Sequence, residues 1–254
     1  MNKSLAATLS LLFGSCVYAS SYSVSISADT TRFDYAETDD YGALLDTERA
    51  DFGKVNGVTL SLTPLENGLY LGASYVRGNT DYVGSLLYSS DPYGSYRGTT
   101  MNEVGDYTFG YKSTAHLDKN GQWKMPIMIG VGYRRWVRQL GYDEVYDWGY
   151  YDVGIGLHYA LSSTMSVGLD GNYRKAFNAQ MHENFNGYTF DLKNVHGYKI
   201  SVPLELALND SLSTFISYNY EYWNIDASDS VGGFYEPDSE TKNETLSLGL
   251  KLKF

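Results

Sequence analysis

The chain has 254 residues, of which 19 are basic and 30 acidic, so its formal net charge is −11. Phosphate binding needs a basic face, and the acidic balance therefore excludes nucleic acid as a partner. Cys16 is the only cysteine, which excludes an internal disulfide and a thiolate metal site. No His or carboxylate spacing indicates a metal site, and we predict no cofactor.

The first element is a short apolar segment that follows Lys3 and ends in Val17-Tyr18-Ala19. A membrane-spanning helix needs about 20 apolar residues, and this segment is shorter. Its end, with small residues two positions apart, is typical of the cleavage site of a secretory signal peptide. We predict a signal peptide over residues 1–19 and a single β-domain over residues 20–254. The alternative is a lipoprotein sequence at residues 13–16, in which Cys16 would carry the lipid.

The remaining chain contains ten segments in which apolar and polar residues alternate, and this period predicts ten β-strands. Their connections are alternately short and long. The short ones are turns at residues 64–68, 118–121, 161–163 and 209–210, and the first of them contains the hairpin pair Asn67-Gly68. The long ones include residues 37–48, 84–100 and 226–242. In the first strand, Phe33 and Tyr35 have the opposite parity to Val24 and Ile26, which predicts a bulge near Thr30.

The last strand has the clearest alternation. Its apolar face carries Leu246, Leu248, Leu250, Leu252 and Phe254, and its other face is small or polar. We predict that the apolar face contacts lipid, and that this strand closes a barrel against the first one, because an open sheet edge in lipid would leave backbone groups unpaired. The predicted fold class is therefore all-β, a transmembrane antiparallel up-and-down β-barrel. An eight-stranded barrel, in which one hairpin is a long loop excursion, is the alternative.

An even number of strands places both termini and the four short turns at one end of the barrel. In bacterial barrels that end is periplasmic, so five longer loops would be extracellular.

These features resemble those of the small outer-membrane β-barrel proteins of Gram-negative bacteria. The signal peptide, the alternating strands, the tyrosine bands and the terminal Lys-Leu-Lys-Phe carry the resemblance over the whole mature chain. It implies a monomer in the bacterial outer membrane, in contact with lipid and lipopolysaccharide, and recognition of the last strand and Phe254 by the barrel-assembly machinery. Ten strands would match the omptin proteases and the opacity-class adhesins, but the chain lacks the omptin pairing of Asp-x-Asp with Asp-x-His.

Charged residues with inward parity recur on seven successive predicted strands. Because both signs occur on neighbouring strands, we predict a network of cross-strand ion pairs that fills the lumen. The alternative is a narrow, charge-lined conduit. The predicted lumenal network consists of Asp106, Lys112, Arg134, Arg138, Asp152, His158, Asp170, Arg174, Lys199, Glu205, Glu221 and Lys251.

The predicted loops mix aromatic residues with Ser, Gly and Asp, a composition that suits contacts with an extracellular protein or glycan. The alternative is that these rings only extend the aromatic girdle. The candidate contact residues are Tyr93, Tyr96, Arg97, Tyr142, Tyr146, Trp148, Phe234 and Tyr235.

Catalysis has little support in the sequence. His182 and Glu183 are adjacent and would point to opposite faces of a strand, so they do not form a working acid–base pair. We predict a non-enzymatic protein that presents surface loops for recognition, adhesion or envelope integrity. A narrow porin-like channel is the second hypothesis, and a protease or lipid-modifying enzyme at the rim is the third.

Overall fold

The structure is a computed structural model that describes residues 21–85 and 91–254. The predicted signal peptide with Cys16 lies outside the described residues. The described chain forms eleven antiparallel strands: β1 Tyr22–Thr38, β2 Leu44–Pro64, β3 Gly68–Gly84, β4 Tyr96–His116, β5 Trp123–Gln139, β6 Asp143–Ala160, β7 Met165–Glu183, β8 Thr189–Asp191, β9 Lys193–Ala207, β10 Leu212–Asp226 and β11 Asp238–Lys253.

The strands form a closed barrel. Neighbours along the chain pair with one another except β8 and β9; β7 pairs with β9, and β11 pairs with β1. The short β8 pairs with β7 and leads through Leu192 into β9, so the two form one strand of the barrel wall. The wall therefore has ten strands, which confirms the predicted fold class and strand number.

The closing pair of strands is regular over its whole length. Sixteen residue pairs run without a register shift from Ser23 opposite Lys253 to Thr38 opposite Asp238. Tyr22 and Phe254 extend the pairing with two backbone hydrogen bonds of 2.9 Å each. No backbone edge is left open along this seam, which is what a strand in hydrocarbon requires.

Outward-facing apolar side chains form a continuous band around the barrel. On β11 the band includes Leu248, which is 65% exposed, and on β5 it includes Ile129, which is 63% exposed. A band of exposed alternate residues suits hydrocarbon, because the inward residues of the same strands never meet it. We call the end with the termini and short turns the turn end, and the opposite end the loop end.

Several strands extend past the apolar band at the loop end. β2 and β4 have 21 residues each, whereas about 9–11 residues suffice to cross a bilayer. The predicted loop 37–48 is therefore mostly strand, with a connection at residues 39–43. The prediction was wrong there because Glu37, Asp46 and Glu48 face the interior, and buried acidic residues do not give the apolar alternation of a membrane strand.

A bulge is present close to the predicted position near Thr30, in the pairing of β1 with β2, but it lies in β2 and not in β1. β1 keeps its register with β11 through this region, and Phe33 and Tyr35 point into the barrel, where both are buried. The irregularity lies in β2, where residues 51–54 are inserted between Ala50 and Val55, the partners of Phe33 and Thr31. Beyond the apolar band the inward positions carry aromatic residues. Phe33 and Tyr35 therefore follow the same alternation as the rest of β1, and no bulge in β1 is needed.

The aromatic core of the barrel lies just beyond the band on the loop side. Trp136 stacks on Tyr146 with ring centroids 4.6 Å apart, and Trp148 meets Trp223 edge-on at 5.1 Å. We call this core the aromatic layer; it consists of Phe33, Tyr35, Trp136, Tyr146, Trp148, Tyr150 and Trp223. Each of its side chains is at most 2% exposed, so water reaches them from neither end of the barrel.

Helices contribute nothing to this architecture: in the part of the chain that the structure describes, none is long and apolar enough to span a membrane.

Candidate functional site

The inward charges form three separate levels along the barrel rather than one network. The level at the loop end is centred on the guanidinium of Arg138, which is fully buried on β5. Its Nη1 donates to Glu144 at 2.7 Å and to Glu37 at 3.0 Å, and its Nη2 donates to Asp46 at 3.2 Å. Three strands thus bring a carboxylate to one cation, and we call this group, with Glu48 and Glu236, the acidic cluster.

A fourth carboxylate anchors the guanidinium to the layer beneath it. Arg138 Nε donates to Glu48 Oε1 at 3.0 Å, and Glu48 Oε2 accepts from Thr80 and Asn102 at 2.6 Å each. Asn102 in turn accepts from the indole N–H of Trp136 at 2.7 Å. Glu48 is therefore fully satisfied, which a buried carboxylate needs.

Tyrosine hydroxyls complete the acidic cluster. Tyr142 donates to Glu144 at 3.1 Å, and Tyr146 donates to Glu236 in a short hydrogen bond. The ring of Tyr35 lies under Arg138, with 4.2 Å between the guanidinium carbon and the ring centroid. Ionic, hydrogen-bonding and cation–π contacts therefore all converge on this cation.

A cavity of about 440 Å³ lies directly above the acidic cluster and opens at the loop end. We call it the loop-end pocket. Acidic side chains form part of its wall, and aromatic rings form most of the rest. The lining residues are Glu37, Leu45, Asp46, Tyr82, Ser85, Tyr96, Leu140, Tyr142, Glu144, Met181, Glu183, Asn186, Tyr188, Phe190, Phe234, Tyr235, Glu236 and Pro237.

The wall of this pocket has an unbalanced electrostatic arrangement. Burial, reinforced by neighbouring acids, holds the pKa values of Asp46 and Glu236 well above the usual range, and burial also raises the pKa of Glu144. Asp46 is 8% exposed, and its Oδ1 has no hydrogen-bond partner although its Oδ2 binds Arg138. The pocket wall thus contains more acidic groups than its own cation can neutralise, and burial favours their protonated forms.

Four of the predicted contact residues line the loop-end pocket: Tyr96, Tyr142, Phe234 and Tyr235. Tyr93 is exposed and lies within 2.9 Å of the Thr47 hydroxyl, and Arg97 is exposed on β4. Neither of these two lines the pocket.

Tyr146 and Trp148 were placed wrongly in a loop by the sequence prediction. Both lie on β6 with their side chains pointing inward, and they are 0% and 1% exposed. The error arose because aromatic residues beyond the apolar band resemble loop residues when their inward partners are unknown. They belong to the aromatic layer beneath the pocket and do not line it.

The middle level of charge lies at the height of the apolar band. Arg134 donates to Glu221 at 2.7 Å, and Arg174 donates to the other oxygen of Glu221 at 2.9 Å. Asp106 accepts from Tyr150 at 2.6 Å, and Asp152 accepts from Asn172 at 2.9 Å. A cavity of about 350 Å³ beneath this level is lined in part by Lys199.

The turn-end level consists of smaller groups. His158 Nε2 lies 2.9 Å from Asp170, and Glu205 binds both Lys251 and Lys253. Lys112 donates to the backbone oxygen of Pro64 at 3.0 Å. All twelve predicted lumenal residues face inward, and the structure divides them among the three levels.

Sequence reasoning missed the acidic side of the pocket: Glu37, Asp46, Glu48, Glu144 and Glu236. A signal for part of it was present. Asp46 and Glu48 are two residues apart, as are Glu144 and Tyr146, and Trp136 and Arg138. Residues that are two positions apart lie on the same face of a strand, so each of these pairs shares one face.

The described histidines do not form an acid–base pair with Glu183. His182 is exposed and lies 3.0 Å from the hydroxyl of Thr189, whereas Glu183 accepts hydrogen bonds from the backbone of Phe185 and Asn186. This arrangement agrees with the opposite orientations expected of adjacent strand residues. In the described ranges, no three His, Cys, Asp or Glu side chains converge as a metal site.

Comparisons with known proteins are informative for fold. No family model and no curated protein matches the sequence. The outer-membrane protease OmpT from Escherichia coli is structurally similar, with a TM-score of 0.59 and 12% identity over 92% of this chain and 97% of that one.

Two further solved structures have lower TM-scores. The transport unit of the autotransporter AIDA-I from Escherichia coli gives 0.44, with 12% identity and coverage of 100% and 98%. Neisserial surface protein A gives 0.36, with 11% identity and coverage of 91% and 97%. At 12% identity, the similarity to OmpT establishes architecture and not activity. The chain has the fold of the small outer-membrane β-barrel proteins.

Proposed function

We propose that this protein is an outer-membrane barrel that recognises an extracellular ligand in its loop-end pocket. The single observation that carries the proposal is a pocket open at the loop end and closed below by the aromatic layer. A concave site lined by rings, with a few convergent polar groups, is the usual form of a small-ligand site.

The closed floor favours recognition over conduction. The aromatic layer and Arg138 are at most 2% exposed, and none of them lines the pocket above or the cavities below. A conducting pore needs a continuous wet path, and a dry layer interrupts one. The porin-like channel is therefore the weaker hypothesis.

The rim of the pocket suits recognition of a ligand from solvent. Phe234 and Tyr235 are 40% and 44% exposed, while Tyr142 is held in place by its hydrogen bond to Glu144. Tyrosine supplies a large contact area at low conformational cost, because it has few rotatable bonds. The pocket thus combines exposed rings at its mouth with fixed rings inside.

The test is a binding screen with the full chain refolded in detergent. Neutral sugars, acidic sugars, amines and short peptides are each titrated against the wild type and against the double variant Tyr142→Ala, Tyr235→Ala. We expect at least one chemical class to bind the wild type and to lose about tenfold or more of its affinity in the variant. The control is Tyr107→Ala, which removes an exposed ring of the apolar band. If no class binds, or if binding is indifferent to the double variant, the proposal is wrong.

A further inference from the structure

We propose that residues 227–237 form a lid over the mouth of the barrel, and that the lid is released when the carboxyl group of Glu236 loses its proton. The lid joins β10 to β11 at the loop end. It supplies Phe234, Tyr235 and Glu236 to the wall of the loop-end pocket, so its release would open that pocket. The inference concerns the movement of this segment and holds whether or not the pocket binds a ligand.

The lid is a small hairpin with hydrogen bonds of its own. Val231 and Phe234 exchange two backbone hydrogen bonds, at 2.7 and 3.1 Å. Ser228 N donates to the backbone oxygen of Glu236 at 3.0 Å, and the Ser228 hydroxyl accepts from Glu236 N at 2.9 Å. Because these bonds lie within the segment, the lid can move as one body about its two ends and keep them.

The outer contacts of the lid are few. It meets the loop that follows β7, where the ring centroids of Phe234 and Tyr188 are 5.9 Å apart. The ion pair between Asp229 and Lys193 is exposed, with 87% and 50% of the two side chains accessible. Exposed ion pairs contribute little to stability. The position of the lid therefore depends mainly on its buried contact.

Glu236 makes that buried contact. It is 4% exposed, whereas the adjacent Tyr235 is 44% exposed. Its carboxyl group accepts a short hydrogen bond from the hydroxyl of Tyr146, a member of the aromatic layer. One side chain thus connects the lid to the interior of the barrel.

Glu236 differs in two ways from the other four acids of the acidic cluster. Those four lie on strands, and each contacts Arg138 within 3.2 Å. Glu236 lies on a loop, and among the described residues it forms no ion pair. A buried carboxylate without a cation is costly, and an acid on a loop can reach solvent while the barrel wall stays intact. Ionisation therefore favours the departure of Glu236 and leaves the other acids in place.

The surroundings of Glu236 add to this effect. Burial, reinforced by Glu37 and Glu144, holds the pKa of its carboxyl group well above the usual range. The closed lid therefore binds this proton more tightly than the released lid, in which the carboxyl group meets water. Between the ordinary carboxyl pKa and the raised value, the ratio of closed to released lid falls by up to about tenfold per pH unit.

The titratable and charged groups around Glu236 come from the barrel wall, the neighbouring loop and the lid. They are Glu37 on β1, Asp46 and Glu48 on β2, Tyr82 on β3, Arg138 on β5, Tyr142, Glu144 and Tyr146 on or beside β6, Glu183 and Tyr188 at the end of β7 and in the loop after it, and Asp229 and Tyr235 on the lid.

The experiment measures a distance between two spin labels by double electron–electron resonance on the refolded full chain with Cys16→Ser. The labels are attached to the pair Ser230→Cys, Gln139→Cys, of which the first is on the exposed part of the lid and the second on β5. We expect one narrow distribution at pH 5. A second, broader distribution should gain up to about tenfold per pH unit relative to the first as the pH rises to 9. An unchanged distribution over this range overturns the inference.

Glu236→Gln is the matched variant, because its amide keeps the shape of the protonated acid and still accepts from Tyr146. Its lid should stay closed at every pH, whereas Glu236→Ala, which loses the buried contact, should show the broad distribution already at pH 5. The control is Glu240→Gln, which removes an acid paired with Lys242 on β11 and should respond to pH as the wild type does. Release of the Glu236→Gln lid at the same pH as the wild type overturns the inference. The wild-type pH series decides the question even if a variant fails to fold.

Discussion

Arg138 is the residue on which the loop end of the barrel depends. It is the cation that Glu37, Asp46, Glu48 and Glu144 all contact. Buried ion pairs contribute little net stability, but removing one partner leaves uncompensated charge and is costly. Because the cluster has several acids for one guanidinium, it would carry uncompensated negative charge if all of them were ionised. Protonation of the buried acids removes this charge.

Stability should therefore depend on pH in the direction opposite to that of proteins whose carboxyl pKa values are lowered by folding. The pKa values of Asp46, Glu144 and Glu236 are raised by burial, so the folded protein holds more protons than the unfolded chain between the ordinary carboxyl range and these raised values. In that window stability decreases as pH rises, by about 1.4 kcal/mol per pH unit for each extra proton. The charged and titratable groups that face these acids are Glu37, Glu48, Arg138 and the hydroxyls of Tyr35, Tyr82, Tyr142 and Tyr146.

The measurement is urea unfolding of the refolded protein at pH 5 and at pH 8. We expect the wild type to be more stable at pH 5, and Glu236→Gln to show a smaller difference between the two. Asp210→Asn, at the other end of the barrel, serves as the control. Stability that rises from pH 5 to pH 8 would contradict the assignment of raised pKa values.

Strand length determines where the interior changes its character. Within the apolar band the lumen holds polar residues and two cavities, and beyond the band the extended strands β5 and β6 bring Trp136, Tyr146 and Trp148 together. A ten-stranded barrel is too wide to be closed by backbone alone, so large rings fill it. The aromatic layer is thus a property of the strand extensions and not of the membrane-spanning segments.

The buried aromatic layer leads us to a prediction about ion conductance. The wild type should give no discrete steps in a planar bilayer, because the layer interrupts the wet path. The triple variant Trp136→Ala, Tyr146→Ala, Trp148→Ala should give reproducible steps, since the space it creates is lined by polar groups such as Glu48 and Arg138 and fills with water. Tyr107→Ala, in the apolar band, should remain silent. Conductance by the wild type would restore the channel hypothesis.

The sequence predicted the strands well where one face meets lipid. The alternation of Leu246 to Leu252 gives both the closing strand and its orientation, because lipid selects apolar residues at every second position. It failed for β1 and β6 beyond the band, since Phe33, Tyr35, Tyr146 and Trp148 obey a different rule there: aromatic inside, polar outside. The acidic cluster was predictable only as separate pairs such as Asp46 and Glu48, because its members come from four strands and a loop, and the sequence alone does not give their register.

At the scale of the whole molecule, closure rests on one seam. Thr31 and Thr245 lie directly opposite on β1 and β11, with their hydroxyls 2.9 Å apart, although 214 positions separate them in the chain. Every other adjacent pair of strands in the barrel wall is linked by a short stretch of chain.

A crosslink tests this closure. In a chain that lacks Cys16, the pair Thr31→Cys, Thr245→Cys should form a disulfide on mild oxidation, because the two side chains touch. The loop it closes is long, so it should stabilise the fold by about 2–4 kcal/mol in the oxidised form. The pair Thr31→Cys, Lys251→Cys is the control, since Lys251 lies opposite Ser25. Equal crosslinking of both pairs would show that the register is wrong.

The seam also sets the order of events during folding. A hairpin such as β2–β3 forms from one local stretch of chain, whereas β1 pairs with β11, which is distant in sequence. The entropy of closing so long a loop grows only with the logarithm of its length, but pairing between distant segments is slow. Until β1 and β11 pair, the first strand keeps an unpaired backbone edge. The barrel therefore satisfies all of its backbone groups in the membrane only when this pair has formed.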